Sequence, residues 1–180
     1  MDNEYMVDET PSYWPSVLVA GIITGIIFSV VGLIGSYTTI GGSTTMATVS
    51  GIAACLLGAL GGIIVNWHYA KENDITYTIG KGALLGFLTA VLAIVISTVI
   101  GQLWTLIIDP DLNQALYNAQ IDNYEAQGMT QDQIDMALQF SPKPGTSTYL
   151  LVQVGMGLLM MGIVNAITGL IGAKIFASEE

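Results

Sequence analysis

The sequence predicts an all-α integral membrane protein, a four-helix bundle with two short amphipathic helices in the loop between spans three and four. Of its 180 residues, 52% are hydrophobic and only 10% are charged, whereas soluble domains are charged at about a quarter of their positions. Four apolar stretches are long enough, at about 1.5 Å per residue, to cross a hydrocarbon core of about 30 Å. Residues 1–180 are therefore expected to form one transmembrane domain.

The four spans are expected near residues 15–34, 46–65, 82–103 and 149–176. Pro15 suits the first turn of a helix, where its missing N–H is not needed. A short Gly, Ser and Thr connection makes the first two spans a hairpin, and a hydrated linker, 66–81, leads to the third. The acidic segment 1–12 is unlike the basic start of a signal peptide, so the first span is expected to stay in the mature protein.

The lysines predict the orientation, because cytoplasmic loops retain Lys and Arg. With four spans, Lys71, Lys81 and Lys174 share one side of the membrane and Lys143 lies on the other. Both termini are therefore expected in the cytoplasm of a multi-pass inner-membrane protein. The polar interval 109–145 is expected to face the periplasm.

Small residues spaced four apart are candidates for helix packing, because they let transmembrane backbones approach closely. Packing within one bundle and a seam to another subunit both use such pairs. The candidates are Gly21, Gly25, Gly58, Gly62, Gly82, Gly86, Gly162, Ala166, Gly169 and Ala173.

The spans contain no Asp, Glu, Lys or Arg at membrane depth, and such residues are what usually mark ion and proton pathways. Asn165, in the middle of the fourth span, is the leading intramembrane polar group. It suits an interhelical hydrogen bond or, in the alternative interpretation, a polar path shared with the hydroxyls of spans one and three.

The interval 109–145 is predicted to form two capped helices, 110–127 and 130–140. Asp109 and Thr130 are the expected caps, and Gly128 lies between the helices. Their apolar faces are the predicted partner surface. That surface consists of Leu112, Leu116, Tyr117, Ile121, Tyr124, Ile134 and Leu138.

Composition argues against several functions. A net charge of -10 without any arginine does not suit nucleic acid, whose affinity depends on clustered basic residues. One cysteine and one histidine, His68, do not provide a zinc site or a Ser-His-Asp triad, so neither catalytic residues nor a cofactor is expected. The run Asp109-x-Asp111-x-Asn113 lacks the glycine and glutamate of a calcium loop, which favours a helix cap.

The layout resembles a family of small four-span membrane proteins of unknown function from Bacteroidetes-type bacteria. The resemblance rests on the Gly-rich first span, on Gly128-Met129-Thr130-Gln131-Asp132-Gln133-Ile134 and on Gly169-Leu170-Ile171-Gly172-Ala173-Lys174-Ile175-Phe176. It implies a fold and a topology but no activity.

Taken together, these features predict a non-enzymatic accessory or interaction subunit of a larger membrane assembly. Its partners would be the lipid bilayer and other membrane-protein subunits or further copies of itself. The alternative is a small transporter or channel with a polar path near Asn165.

Overall fold

A computed structural model describes residues 11–177, which form six α-helices. A single π-helical turn, Trp104–Ile108, continues the third helix. Residues 1–10, with most of the acidic N-terminal segment, and residues 178–180 lie outside the described chain. The helices are α1 (Trp14–Ile40), α2 (Thr44–Asn73), α3 (Ile79–Leu103), α4 (Leu112–Ala126), α5 (Gln131–Phe140) and α6 (Ser147–Phe176).

Four of these helices are long and apolar enough to cross a membrane: α1, α2, α3 with its π-helical turn, and α6. The candidate spans within them, Trp14–Ile40, Thr45–Asn73, Ile79–Ile108 and Ser147–Phe176, are 27, 29, 30 and 30 residues long, which exceeds the roughly 20 residues that a hydrocarbon core requires. The expected all-helical fold with four membrane helices and two short loop helices is therefore confirmed.

The helices extend further into the polar segments than the sequence predicts. The first connection contains only residues 41–43, and the linker between α2 and α3 only residues 74–78. The Ser43 and Thr78 hydroxyls accept the backbone N–H groups of Met46 and Lys81, so both helices begin at capped residues. Residues 66–73 continue α2 as a regular helix, in which Asn66 and Tyr69 are fully buried while Lys71 and Glu72 are exposed.

The helices α2 and α3 form the centre of the bundle. Both pack against α1 and both pack against α6, and they also contact each other, so α1 and α6 lie on opposite sides of the α2–α3 pair. The loop helix α4 packs on α1 and on α5. The loop between α3 and α6 therefore folds back on the bundle.

The two ends of the bundle differ in packing. We call the end near residues 74–78 the linker end and the end near residues 109–145 the loop end. In α1, α3 and α6 all buried residues lie within 16–29, 82–94 and 161–173, the halves nearest the linker end. In α2 they lie within 58–70, apart from Ser50. The helices thus pack closely at the linker end and loosely at the loop end.

The loop helices follow the predicted order, but α4 begins later than its sequence pattern indicates. It starts at Leu112, and Asp109 does not cap it, because the Asp109 carboxylate accepts a 2.7 Å hydrogen bond from the Tyr37 hydroxyl. Gly128 follows the helix with a φ of 75°, a conformation that favours glycine. At α5 the predicted capping box is present, with the Thr130 backbone N–H donating to Gln133 at 2.9 Å.

Candidate functional site

The predicted packing glycines contact neighbouring helices of the same chain. A Cβ atom on Gly21 would lie 2.6 Å from the Leu92 side chain, and one on Gly25 would lie 2.9 Å from Ile96. Gly58 meets the Met161 side chain in the same way, and Gly162 meets Phe87. Ala166 is half-buried on α6. These small residues therefore serve close packing inside the bundle.

At the linker end the approach is backbone to backbone. A Cβ atom on Gly82 would lie 2.7 Å from the Gly169 carbonyl oxygen, and one on Gly62 would lie 2.6 Å from the Gly169 nitrogen. A Cβ on Gly86 would collide with the carbonyl oxygen of Asn165, and Ala173 is fully buried beside Gly82. Since real Cβ atoms do not come this close to backbone atoms, only glycine fits these positions.

Asn165 lies in the middle of this contact and is fully buried. Its side-chain oxygen accepts the Gly62 backbone N–H at 2.8 Å, which links α6 to α2. Its side-chain nitrogen donates to the Met161 carbonyl at 3.0 Å. Both ends of the amide therefore have partners within the protein, as an interhelical hydrogen bond requires.

Asn66 makes a second buried link that the sequence pattern did not single out. Its side-chain nitrogen donates to the Gly62 carbonyl at 2.7 Å and to the Gly82 carbonyl at 3.2 Å, which joins α2 to α3. Its side-chain oxygen accepts the Tyr77 hydroxyl at 2.8 Å. Sequence reasoning placed Asn66 in a hydrated linker, so its one usable signal was an Asn one helical turn after a glycine. We call Gly62, Asn66, Gly82, Gly86, Asn165 and Gly169 the glycine–asparagine core.

An aromatic cluster covers the core at the linker end. The Lys81 ammonium donates to the Tyr69 hydroxyl at 2.9 Å and lies 4.8 Å from the centre of that ring. The Tyr69 hydroxyl donates to the Pro11 carbonyl at 2.7 Å. Burial, with the neighbouring Tyr69, raises the pKa of Tyr77 above its usual range, so Tyr77 stays a neutral donor to Asn66.

His68 makes a hydrogen-bond contact with another helix. Its Nδ1 atom lies 2.9 Å from the Ser16 hydroxyl of α1, which ties the start of α1 to the end of α2. Among the described residues, no group of three or more His, Cys, Asp or Glu side chains could hold a metal ion.

At the loop end a hydrogen-bonded chain closes one side of the bundle. The Trp104 indole N–H donates to the Tyr37 hydroxyl at 3.0 Å, and that hydroxyl donates to Asp109 at 2.7 Å. The π-helical turn carries Trp104, so it places the indole next to the end of α1.

Between α1, α3 and α6 the loosely packed half contains a cavity of about 380 Å³, which we call the loop-end cavity. Residues 112–116 of α4 line it from the loop side. Its polar lining comes from four segments of the chain. The polar residues are Ser29, Ser36, Ser97, Thr98, Gln102, Thr105, Asn113, Thr146, Ser147, Tyr149 and Gln153.

The chain matches the model of a known protein family. A family model described as "Protein of unknown function (DUF4199)" matches residues 20–178. The chain belongs to this family. No curated protein and no solved structure matches it. The matched residues of this DUF4199 protein include the glycine–asparagine core and the whole lining of the loop-end cavity.

In this DUF4199 protein the predicted partner surface largely packs on the chain itself. Leu112 and Ile134 are buried. The other five predicted residues are half-buried: Leu116, Tyr117, Ile121, Tyr124 and Leu138. The large apolar side chains that α5 exposes are instead Met136, at 62%, and Phe140, at 84%.

Proposed function

We propose that this DUF4199 protein is a non-enzymatic interaction subunit of a membrane assembly, docking through its loop end. One observation carries the proposal. Met136 and Phe140 lie one helical turn apart on α5, outside the membrane helices, and both are exposed. Apolar side chains grouped on a surface favour a covering partner.

The charge of the loop favours a protein partner over the lipid surface. Residues 109–145 contain six acidic residues and one lysine, Lys143. Anionic lipid headgroups repel such a segment, since surface attachment of helices normally relies on Lys and Arg. The partner is therefore expected to be another membrane-protein subunit, or a second copy of this chain, with neutral or basic groups around an apolar centre.

We place the protein in a bacterial inner membrane, with both termini in the cytoplasm and the loop in the periplasm. Lys71, Lys81 and Lys174 support this orientation, because all three lie at the linker end while Lys143 lies at the loop end. The resemblance to four-span bacterial proteins supports the choice of membrane.

Site-specific photocrosslinking tests the docking proposal. A photoreactive amino acid at Phe140 is expected to give one protein adduct of fixed mass in native membranes. The matched control is Ile175, which is 63% exposed at the linker end and is expected to give no protein adduct. Adducts at neither position, together with a monodisperse monomer in mild detergent, would contradict the proposal.

A transporter or channel remains the second candidate, because the loop-end cavity enters the bundle from one side. A path would have to continue past Thr24, a buried hydroxyl without a hydrogen-bond partner, which lies close to Asn165 around Gly61. The close backbone contacts of the glycine–asparagine core lie across such a route. They support the interaction role over transport.

A further inference from the structure

The loop-end cavity contains amide groups that the described chain does not satisfy. Gln102 on α3 and Gln153 on α6 both line the cavity, and neither side chain has a hydrogen-bond partner within residues 11–177. Each lies six residues from the loop-side end of its span, Ile108 or Ser147. That distance is about 9 Å, near the level where headgroups meet hydrocarbon. Both side chains are exposed at the wall of the cavity, so their amide groups are accessible to water or to a polar occupant.

Hydroxyl groups deeper in the cavity add hydrogen-bond acceptors. Ser29 donates to the Gly25 carbonyl at 2.7 Å, and Ser97 donates to the Ile94 carbonyl at 3.0 Å. Each hydroxyl has then used its proton within its own helix and keeps oxygen lone pairs for another partner. The glutamine amides supply N–H donors as well as acceptors. The lining therefore suits a molecule whose groups both donate and accept hydrogen bonds.

The lining carries no charge. None of the residues around the cavity is Asp, Glu, Lys, Arg or His. A charged molecule would find no counter-charge in the lining to offset the hydration that it loses on binding. Phe28 and Leu150 add apolar surface beside the polar groups. The lining therefore favours an uncharged and partly apolar molecule.

We propose that the loop-end cavity binds an uncharged polyhydroxyl group, either as a free polyol or sugar or as the headgroup of a neutral glycolipid. The hydroxyl groups of such a molecule both donate and accept hydrogen bonds, as the polar groups of the lining do. The C–H faces of a sugar can pack against the apolar residues of the cavity. The volume of about 380 Å³ lies in the range of small-molecule pockets, about 300–1,000 Å³. The proposal does not depend on the docking surface of α5.

Two glycines provide a matched pair of variants. Gly101 lines the cavity, and a Cβ atom there would have no other atom within 4 Å, so Gly101→Leu adds a side chain without a backbone collision. Gly51 on α2 also has open space around it but does not line the cavity, so Gly51→Leu is the control. The double variant Gln102→Leu/Gln153→Leu removes the amides and leaves the cavity shape similar.

The test uses the full chain in phosphatidylcholine nanodiscs and measures the melting midpoint, which rises when a ligand binds the folded state. One arm titrates myo-inositol in solution, and the other adds monoglucosyl diacylglycerol to the disc. A saturable rise is expected in one arm, which identifies a soluble or a lipid source. Gly101→Leu and the double glutamine variant are expected to weaken the apparent affinity at least tenfold, and Gly51→Leu to leave it unchanged.

Charged analogues of the two neutral probes serve as negative controls. Inositol monophosphate in solution and phosphatidylglycerol in the disc are expected to give no saturable shift. No saturable rise in either neutral arm would show that the cavity holds only water, which would overturn the proposal. Equal binding of the charged counterparts, or wild-type affinity in both cavity variants, would overturn it as well. If Gly101→Leu does not fold, the double glutamine variant decides.

Discussion

Replacing Gly86 with alanine is expected to destabilise the bundle by about 3 kcal/mol, at the upper end of the usual cost of overpacking. The reason is that the added methyl group would collide with the Asn165 backbone carbonyl and lie 3.2 Å from the Gly169 Cα. Neither contact is with a flexible side chain that could turn away. To relieve the collision, α3 and α6 would have to separate along the core.

The measurement is denaturant-induced unfolding in mixed micelles, followed by tryptophan fluorescence. Gly51→Ala is the control, because it makes the same substitution in a membrane helix where the methyl group meets no atom within 4 Å. The free energy of unfolding of Gly51→Ala is expected to be unchanged, or to rise by up to about 1 kcal/mol because alanine has the higher helix propensity. Similar stability of the two variants would show that the core is not closely packed.

Replacing Asn66 with leucine is expected to lower the free energy of unfolding by about 2 kcal/mol. The substitution removes the hydrogen bonds to the carbonyls of Gly62 and Gly82 and one of the two acceptors of the Tyr77 hydroxyl. Each interhelical hydrogen bond in a membrane protein contributes about 0.6 kcal/mol on average and up to about 1.7. The loss is larger here because one side chain joins α2, α3 and the linker.

A double-mutant cycle distinguishes the loss of these hydrogen bonds from the poor fit of a leucine side chain at position 66. Tyr77→Phe alone is expected to cost less than Asn66→Leu, because Asn66 keeps its bonds to both carbonyls. In the Asn66→Leu background, Tyr77→Phe is expected to cost less than it does alone, because the hydroxyl then keeps only its 3.1 Å hydrogen bond to the backbone carbonyl of residue 66. Additive losses in the same unfolding assay would contradict the hydrogen bond between the two side chains.

The sequence predicted the helices well because their signals are local. Four apolar stretches and the caps at Thr130 and Gly128 are short-range features, and the structure contains all of them. The helix ends were harder to predict. Residues 66–73 contain several polar side chains, and polarity alone does not distinguish the end of a helix from a loop.

Long-range pairing could not be predicted from the sequence. The pattern of Gly82 and Gly86 indicated close helix packing, but it did not show that both would meet α6. Asn66 was missed because its partners lie on another helix and in the linker. The loop-end cavity was not predicted either, although Gln102 and Gln153 border the spans. The shape of a cavity depends on how all the surrounding helices pack, which local sequence patterns do not show.

We expect the bundle to be closed at the linker end and accessible to water from the loop side, because the loop-end cavity lies in the loosely packed half. The most direct test is cysteine labelling in sealed vesicles, using a Cys55→Ala background and a membrane-impermeant thiol reagent on the loop side. Gln153→Cys lies in the cavity and is expected to react. Val152→Cys is 47% exposed at almost the same depth but outside the cavity lining, and is expected to stay unreacted.

Gly80→Cys reports on the other end, because Gly80 is exposed at the linker end of α3. It is expected to react only after the membrane is permeabilised. The predicted result is therefore labelling of Gln153→Cys alone in sealed vesicles. Labelling of Gly80→Cys from the loop side, or protection of Gln153→Cys until permeabilisation, would contradict a bundle that is closed at one end and open at the other.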